Sequence, residues 1–209
     1  MLKEEITLRE ILSQFMSGQK NLTQAYLSRE LEVSLGMVNK TLSKLRQIGA
    51  VRIGLRSFTI IDYNRILLYW ATIRNIERDI IYSTRVNLSV QEIERSVPPG
   101  VIFTAYTGTR LSFAEVPADY SEVWLYTQDE TAGELRRRFR ENNLPRNLIV
   151  LRSDYRLFDS VKKFSRNSNS VTIPQLYADL WNIPTWYGKE FFSMVERRIE
   201  EEVRGILEQ

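Results

Sequence analysis

The residues of this sequence that are best suited to chemistry lie between positions 34 and 56. Lysine and arginine side chains there can pair with phosphate oxygens, and Asn39 or Lys40 can hydrogen-bond to the edge of a base. Gly36 has no side chain, so another molecule can approach the backbone closely. These residue types predict a surface that contacts nucleic acid. The predicted contact residues are Ser34, Gly36, Asn39, Lys40, Ser43, Lys44, Arg46, Arg52 and Arg56.

Positive charge is concentrated in the same part of the chain. Residues 20–60 hold seven lysines and arginines against two glutamates, a net charge of +5, whereas the whole chain of 209 residues has a net charge of only +3. A local excess of this kind is the electrostatic footprint expected of a nucleic-acid contact. The alternative is a solvated helix face that contacts a protein instead.

The composition excludes several kinds of site. The sequence has no cysteine and no histidine, which excludes disulfides, zinc fingers and catalytic arrangements that use either residue. No run approaches 18 uninterrupted apolar residues, and the start, MLKEEITLRE, lacks the apolar stretch of a secretory signal. We therefore expect a cytoplasmic protein that does not enter a membrane and has no cofactor.

Three short helices and a hairpin are predicted to position the contact residues. The apolar spacing predicts helices in residues 4–17, after Thr23, and from Ser34 to a stop at Gly49. Thr23 and Ser34 are suitable N-caps, and Gly49 suits the left-handed position that follows a helix. The runs AVRIG and SFTIID then predict two short strands joined by a turn.

This order of elements resembles the winged helix-turn-helix superfamily, and the resemblance covers about residues 4–62. Its most familiar part is NKTLSKLRQIGAVRI, where a recognition helix is followed by a step into the hairpin, or wing. The resemblance implies that the third helix enters the major groove of DNA. It also implies that Arg52 and Arg56, beside the wing turn, reach the minor groove or the flanking phosphates. We assign residues 1–62 to this DNA-binding domain.

The next segment, residues 63–83, has a strongly apolar helical pattern and is predicted to be one connecting helix. It is too apolar for an exposed linker, so we expect it to pack on the C-terminal part or on another subunit. Arg74, Glu77 and Arg78 are predicted to keep one side of this helix in solvent.

Residues 84–209 are predicted to form an α/β domain for assembly or sensing, which makes the whole chain α+β. The strand-like runs VIFTAY, SEVWLYT and NLIVLRS alternate with helical ones. The run RLFDSVKKFSRNSNS is polar, and we predict that it is irregular.

Several segments of this C-terminal part resemble the corresponding domain of AbiE-type antitoxins, the winged-helix regulators of type IV toxin–antitoxin systems. The segments are FTAYTGTRLSFAEV, SEVWLYT and VTIPQLYADLWN, followed by a glycine and a final helix. The resemblance covers most of the chain. It implies a DNA-binding autorepressor or related regulator, with a cognate toxin as a further protein partner.

The C-terminal domain of that family is distantly similar to the nucleotidyltransferase fold, so this chain could carry a degenerate version of it. Active members hold Mg²⁺ with a Gly-Ser turn and an Asp-x-Asp pair on the next strand. Here the turn reads TGTR at 107–110, and the strand has Glu122 near its start and Asp129 past its end. We therefore predict no catalytic residue and no metal site. Asp179 is interpreted as a helix-surface or capping residue.

Two other clusters receive a structural interpretation. The four arginines of ELRRRFR point in several directions on a helix, which favours a solvated face over a second nucleic-acid contact. The aromatics Trp124, Tyr126, Trp181, Trp186 and Tyr187 could form a ligand pocket, but core packing is favoured. Trp186 and Tyr187 are the best candidates for an exposed cluster that faces a partner.

These patterns together predict a sequence-specific regulator of transcription that binds double-stranded DNA, most simply an antitoxin-like repressor. A homodimer is expected, because regulators of this kind usually gain specificity from symmetric half-sites. Two alternatives stay open at this point. One is a nucleotidyltransferase-like enzyme, and the other is a winged-helix adaptor that holds a protein partner.

Overall fold

The computed structural model describes residues 1–208 and is a mixed α+β protein with two small sheets. The last residue of the predicted C-terminal domain, Gln209, lies outside the described residues. The N-terminal elements are α1 (Lys3–Met16), β1 (Asn21–Leu22), α2 (Gln24–Leu31), α3 (Leu35–Gln47), β2 (Val51–Ile53), β3 (Phe58–Ile60) and α4 (Tyr63–Ile73). The C-terminal elements are a 3-10 helix (Ile76–Asp79), β4 (Ile80–Thr84), α5 (Val90–Ser96), β5 (Ile102–Thr104), α6 (Ala105–Phe113), β6 (Val123–Thr127), α7 (Asp129–Arg138), β7 (Leu148–Arg152), α8 (Leu157–Phe164), α9 (Ile173–Trp181) and α10 (Gly188–Leu207).

The sequence around α2 and α3 explains where these helices begin and end. The hydroxyls of Thr23 and Ser34 each accept a hydrogen bond from the backbone N–H three residues later, at 3.0 and 3.2 Å, so both predicted N-caps are confirmed. Gly49 follows α3 with a φ of +71°, as predicted, and an added Cβ there would lie 2.6 Å from Nη1 of Arg65. Ser34 and Gly49 therefore fix the two ends of α3.

The first sheet is antiparallel and has the strand order β1-β3-β2. The predicted hairpin is confirmed, with Arg52 opposite Thr59 and Val51 opposite Ile60. The two-residue strand β1 pairs with the other edge of β3 and was not predicted, because so short a strand carries no alternating pattern.

The predicted helix over residues 63–83 is wrong beyond Ile73. Arg74 has an extended backbone, and Ile80–Thr84 forms β4, which pairs antiparallel with β7. An apolar run of this kind fits a helix or a strand by its pattern alone. Pairing with β7 favours a strand at Ile80–Thr84, because it satisfies the backbone N–H and C=O groups of this segment.

The second sheet has the order β4-β7-β6-β5, with β6 and β7 parallel and the two outer pairs antiparallel. One face packs on the helices of the main core, and the other is covered by α5 and α7. The run predicted to be irregular contains α8 instead. Leu157 and Val161 lie one turn apart and are buried there, an apolar spacing that the polar residues between them obscured.

A single apolar core extends through both parts of the chain. It includes Leu42 of α3, Trp70 of α4, Tyr126 of β6 and Phe191 of α10. Helix α1 lies at its centre, with every residue from Glu5 to Phe15 buried, and it packs against α3, α4, α8, α9 and α10. Among residues 1–208, no helix combines the length and the apolar composition that crossing a membrane requires.

Candidate nucleic-acid interface

The apolar stripe of α3 determines which of its side chains face solvent. Val38, Leu42 and Leu45 are fully buried against the rest of the core, and Thr41 completes this face. The side chains on the opposite half of the helix therefore point outward, since residues three or four apart share a face. The exposed residues at the start and along this half are Ser34, Leu35, Gly36, Asn39, Lys40, Ser43, Arg46 and Gln47.

The structure brings most of the predicted contact residues onto this one surface. Eight of the nine, counting Arg52 and Arg56 of the hairpin, are exposed, and Lys44 is half-buried. An added Cβ at Gly36 would meet only the Ser34 hydroxyl oxygen, at 3.9 Å, so packing does not require glycine there. Glycine lowers helix stability by up to about 1 kcal/mol relative to alanine. Its presence is compatible with a close approach of another molecule to the backbone.

Lys44 differs from the other predicted contact residues because an acidic partner already binds it. Its Nζ lies 2.9 and 2.8 Å from the two carboxylate oxygens of Glu4 on α1 and 6.0 Å from the centre of the Tyr69 ring. The hydrogen bond with Glu4 is the main cause that raises the pKa of Lys44 above its ordinary value. Lys44 therefore lies at the edge of the surface with its charge compensated.

The hairpin places two arginines beside α3. Arg52 is exposed in the middle of β2, and Arg56 is exposed in the turn. The turn is closed by a hydrogen bond of 2.8 Å from the N–H of Gly54 to the carbonyl oxygen of Ser57. Leu55 lies between these groups and is 99% exposed. The surface formed by the outer half of α3 and by this hairpin is called the α3–hairpin surface below.

In residues 20–60, most cations are free of ion pairs with the described residues, whereas both acidic residues are paired. The acidic residues are bound by the C-terminal part, with Glu30 3.0 Å from Lys163 and Glu32 2.7 Å from Arg156. Six cations of the segment form no ion pair with any residue in 1–208. They are Lys20, Arg29, Lys40, Arg46, Arg52 and Arg56. Four of these six, Lys40, Arg46, Arg52 and Arg56, lie on the α3–hairpin surface, so its positive charge is not compensated by a described residue.

Two apolar residues of this surface were missed by the sequence analysis. Leu35 begins α3 and is 51% exposed, and Leu55 occupies the hairpin turn. A signal was present for Leu55, because a large apolar residue between Gly54 and Arg56 interrupts an otherwise polar turn. For Leu35 no such signal exists, since apolar residues in the first turn of a helix are common.

Arg74 and Asp179 were both assigned to the surface, and both assignments are wrong. The two side chains are fully buried and joined by a hydrogen bond of 2.9 Å between Nε of Arg74 and the carboxylate of Asp179. Nη1 of Arg74 also binds Asp79 at 2.7 Å and Glu5 at 3.3 Å. The hydroxyl of Tyr126 accepts from Arg74 at 2.8 Å and donates to Asp179 at 2.9 Å.

This buried group is called the Arg74 network below. Burial acts to lower the pKa of Arg74, but Tyr126 and the surrounding carboxylates raise it overall, so the guanidinium stays charged. Burial also raises the pKa of Tyr126 well above its ordinary value, which keeps the phenol protonated as a donor. The network joins α1, α4, α9 and β6, and its groups are satisfied by one another. It stabilises the junction of the two parts and is closed to a ligand.

The residues considered for nucleotidyl transfer do not converge. Residues 107–110 lie inside α6 rather than in a turn. Glu122 accepts a hydrogen bond of 2.9 Å from the indole of Trp124, and Asp129 at the start of α7 pairs with Arg152 at 3.3 Å. Across the described chain, no group of three or more acidic residues is arranged to hold a metal ion.

A cleft of about 670 Å³ lies between α5, α6 and the segment that follows α6. Its polar centre is Glu94, whose carboxylate accepts hydrogen bonds of 2.7 Å from Thr107, 2.7 Å from Arg110 and 3.1 Å from Tyr120. Phe103 lines the same cleft. The volume falls in the range of small-molecule sites, so the cleft provides the space that a sensing role needs.

The arginine run of α7 is held largely by its own surroundings. Arg136 donates to the carbonyl oxygen of Ile81, and Arg138 donates to that of Ser96 and to Glu134 at 3.0 Å.

The five aromatic residues singled out in the sequence differ in exposure. Trp124, Tyr126 and Tyr187 are buried, Trp181 is 47% exposed and Trp186 is 82% exposed. The expectation of an exposed aromatic is thus met by Trp186 but not by Tyr187, and Trp181 is only partly in the core.

Comparison of the chain with known protein families, with curated proteins and with solved structures found no match in any of the three.

Proposed function

We propose that the protein binds double-stranded DNA through the α3–hairpin surface and regulates transcription. The observation that carries the proposal is the group of four exposed cations on the α3–hairpin surface, Lys40, Arg46, Arg52 and Arg56, none of which forms an ion pair with a described residue. Free guanidinium and ammonium groups are what phosphate contacts require, and such contacts supply most of the affinity of a DNA-binding protein.

The proposal includes a winged helix-turn-helix for the N-terminal part. The order α1-β1-α2-α3-β2-β3 and the antiparallel sheet β1-β3-β2 support it, because they supply three helices followed by a hairpin. In this arrangement α3 enters the major groove. Asn39 and Lys40 then face base edges near the start of the helix, while Arg46 lies further along, where phosphates are in reach.

The role of the C-terminal part is also proposed. The unit β5-α6-β6 supports a degenerate nucleotidyltransferase-like fold, and β6 itself carries no carboxylate for a metal. The resemblance to AbiE-type antitoxins favours a repressor without enzymatic activity, located in the cytoplasm, that acts as a homodimer and has a cognate toxin as partner. Exposed Trp186 is available for a protein contact of that kind.

Fluorescence anisotropy with a labelled 30-bp duplex of mixed sequence tests the proposal. The protein is titrated at several salt concentrations, and the slope of affinity against salt counts the phosphate contacts. We expect R46A/R56A to bind about a hundredfold more weakly at 0.1 M salt and to lower the slope by about two, since each lost phosphate contact removes about one unit.

The matched control is R137A/R140A, which removes two exposed cations from α7 and its end. It lowers the net charge equally, so a general charge effect would weaken binding in both variants. We expect less than a threefold change for the control. If the protein does not bind duplex DNA, or if both variants behave alike, the proposal is wrong and a protein-binding adaptor becomes the better interpretation.

A further inference from the structure

Leu55, in the turn of the hairpin, is the most exposed large apolar residue of the described chain. It is 99% exposed, and the next most exposed large apolar residue in the described chain is Trp186 at 82%. A single exposed leucine is by itself unremarkable. The position of Leu55 is specific, however, because it forms the outermost point of a short hairpin on the α3–hairpin surface.

The hairpin holds this side chain in a defined place. Strands β2 and β3 are paired through three residues each, and the Gly54–Ser57 hydrogen bond closes the turn directly beneath Leu55. Arg52 and Arg56 are exposed near it and form no ion pair with the described residues. The hairpin therefore combines one apolar side chain in its turn with two free guanidinium groups, that of Arg56 in the turn and that of Arg52 on β2.

The neighbours of Leu55 indicate which surface it fits. A contact with another protein usually involves a continuous apolar patch, but the turn offers Leu55 only Gly54, Arg56 and Ser57 as exposed neighbours. A single leucine in a hairpin that also carries Arg52 and Arg56 fits a narrow groove with negatively charged walls and an apolar interior. The minor groove of DNA has this form, with phosphates along its edges and stacked bases at its floor.

We propose that Leu55 inserts into the minor groove as a wedge at a flexible pyrimidine–purine step and bends the duplex. This inference rests on the proposed function. Apolar side chains that enter the minor groove partly unstack a base step, and TA steps resist this deformation least. Arg52 and Arg56 hold the phosphates on the two sides, so the tip selects DNA by its deformability as well as by its base edges.

The experiment uses two 30-bp duplexes that carry a fluorophore at each end. One has four TA steps at its centre, and in the other these steps are replaced by AA steps. Energy transfer reports bending, and anisotropy reports affinity. We expect the wild-type chain to bind the TA duplex more tightly and to bring its ends closer together. L55A should weaken binding of the TA duplex about tenfold and abolish the bend, because the apolar contact of one leucine is lost.

Two variants and one physical check complete the design. L144A removes a leucine that is 62% exposed elsewhere, and we expect it to leave affinity and bending unchanged. R56A should weaken binding to both duplexes equally, since it removes a phosphate contact. Because Leu55 packs on nothing, L55A should melt at the wild-type temperature in circular dichroism.

The outcomes separate the two proposals. If the wild-type chain binds neither duplex, the proposed function fails and this inference falls with it. If it binds both duplexes without bending them, or if L55A bends the TA duplex as the wild type does, DNA binding stands and the wedge is wrong.

Discussion

Arg56 and Arg74 lie near each other in the chain but in opposite environments. Arg56 is exposed in the hairpin turn without an ion pair to any described residue, whereas Arg74 is fully buried among Glu5, Asp79 and Asp179. A free guanidinium in water is ready to exchange its hydration for a phosphate. A buried one that left its carboxylates would leave them uncompensated. The two arginines therefore differ in what they can do, because Arg74 supports the fold whereas Arg56 is free to bind a phosphate as proposed above.

The arginines of α7 lie between these extremes. Arg136 and Arg138 are exposed but donate to backbone carbonyl oxygens of neighbouring segments. Their density in the sequence is higher than that of the α3–hairpin surface, yet fewer of their donors are free. Pairing, rather than the number of arginines, thus separates the cations that are free on the α3–hairpin surface from those that support the fold.

The largest effect on stability is expected when Arg74 is replaced, which tests the contrast between the two arginines. We expect R74A to lower the free energy of unfolding by about 3–5 kcal/mol, because three buried carboxylates lose their shared cation. R56A should change it by less than about 0.5 kcal/mol, as for an exposed residue without contacts. Urea unfolding measures both. Equal losses in the two variants would mean that Arg56 also supports the fold.

A smaller effect is expected when acid protonates Asp154, which is buried in an ion pair with Arg9. Asp154 accepts hydrogen bonds of 2.7 and 2.8 Å from Arg9. Burial acts to raise the pKa of Asp154, but Arg9 lowers it overall below the ordinary value of 3.8. The pair therefore contributes its full stability above about pH 4 and loses it as the pH falls through the lower pKa of the folded state.

Urea unfolding between pH 2 and pH 7 checks this dependence. D154N should be less stable than the wild type near neutral pH and should lose less stability in acid, since it lacks the titrating group. D129N, which alters an exposed pair with Arg152, should keep the acid dependence of the wild type. If the curves of D154N and the wild type are parallel down to pH 2, the Arg9 pair does not contribute to acid sensitivity.

The smallest effect is expected at the edge of the α3–hairpin surface, where the Glu4–Lys44 ion pair lies. Glu4 binds Lys44 there, so E4Q should free the lysine and raise affinity for duplex DNA about two- to fivefold at low salt. E115Q makes the same change in net charge at the distant pair with Arg198 and should have no effect. Anisotropy measures both variants, and an unchanged affinity for E4Q would show that Lys44 lies outside the contact.

The local features of the N-terminal part could be predicted because the sequence alone determines them. Caps at Thr23 and Ser34, the left-handed Gly49 and the stripe of Val38 and Leu42 depend on neighbours a few residues away. The exposure of the predicted contact residues on α3 follows from that stripe, since one buried face defines the opposite one.

The remaining features depend on partners distant in sequence. Ile80 and its neighbours fit a helix as well as a strand until β7 lies beside them. Arg74 and Asp179 look like solvated residues because the carboxylates and the phenol that allow their burial come from other parts of the chain. The pairing of Lys44 was missed for the same reason, because Glu4 lies forty residues earlier.

Helix α1 is buried over most of its length, which affects how the protein unfolds. Each of its residues from Glu5 to Phe15 is buried, so its apolar and polar sides are both covered by other elements. Cutting the chain after residue 62 would strip away α4, α9 and α10 and leave one side of α1 in water. We therefore expect the halves to share one cooperative melting transition, in which α3 does not unfold separately from the rest of the core.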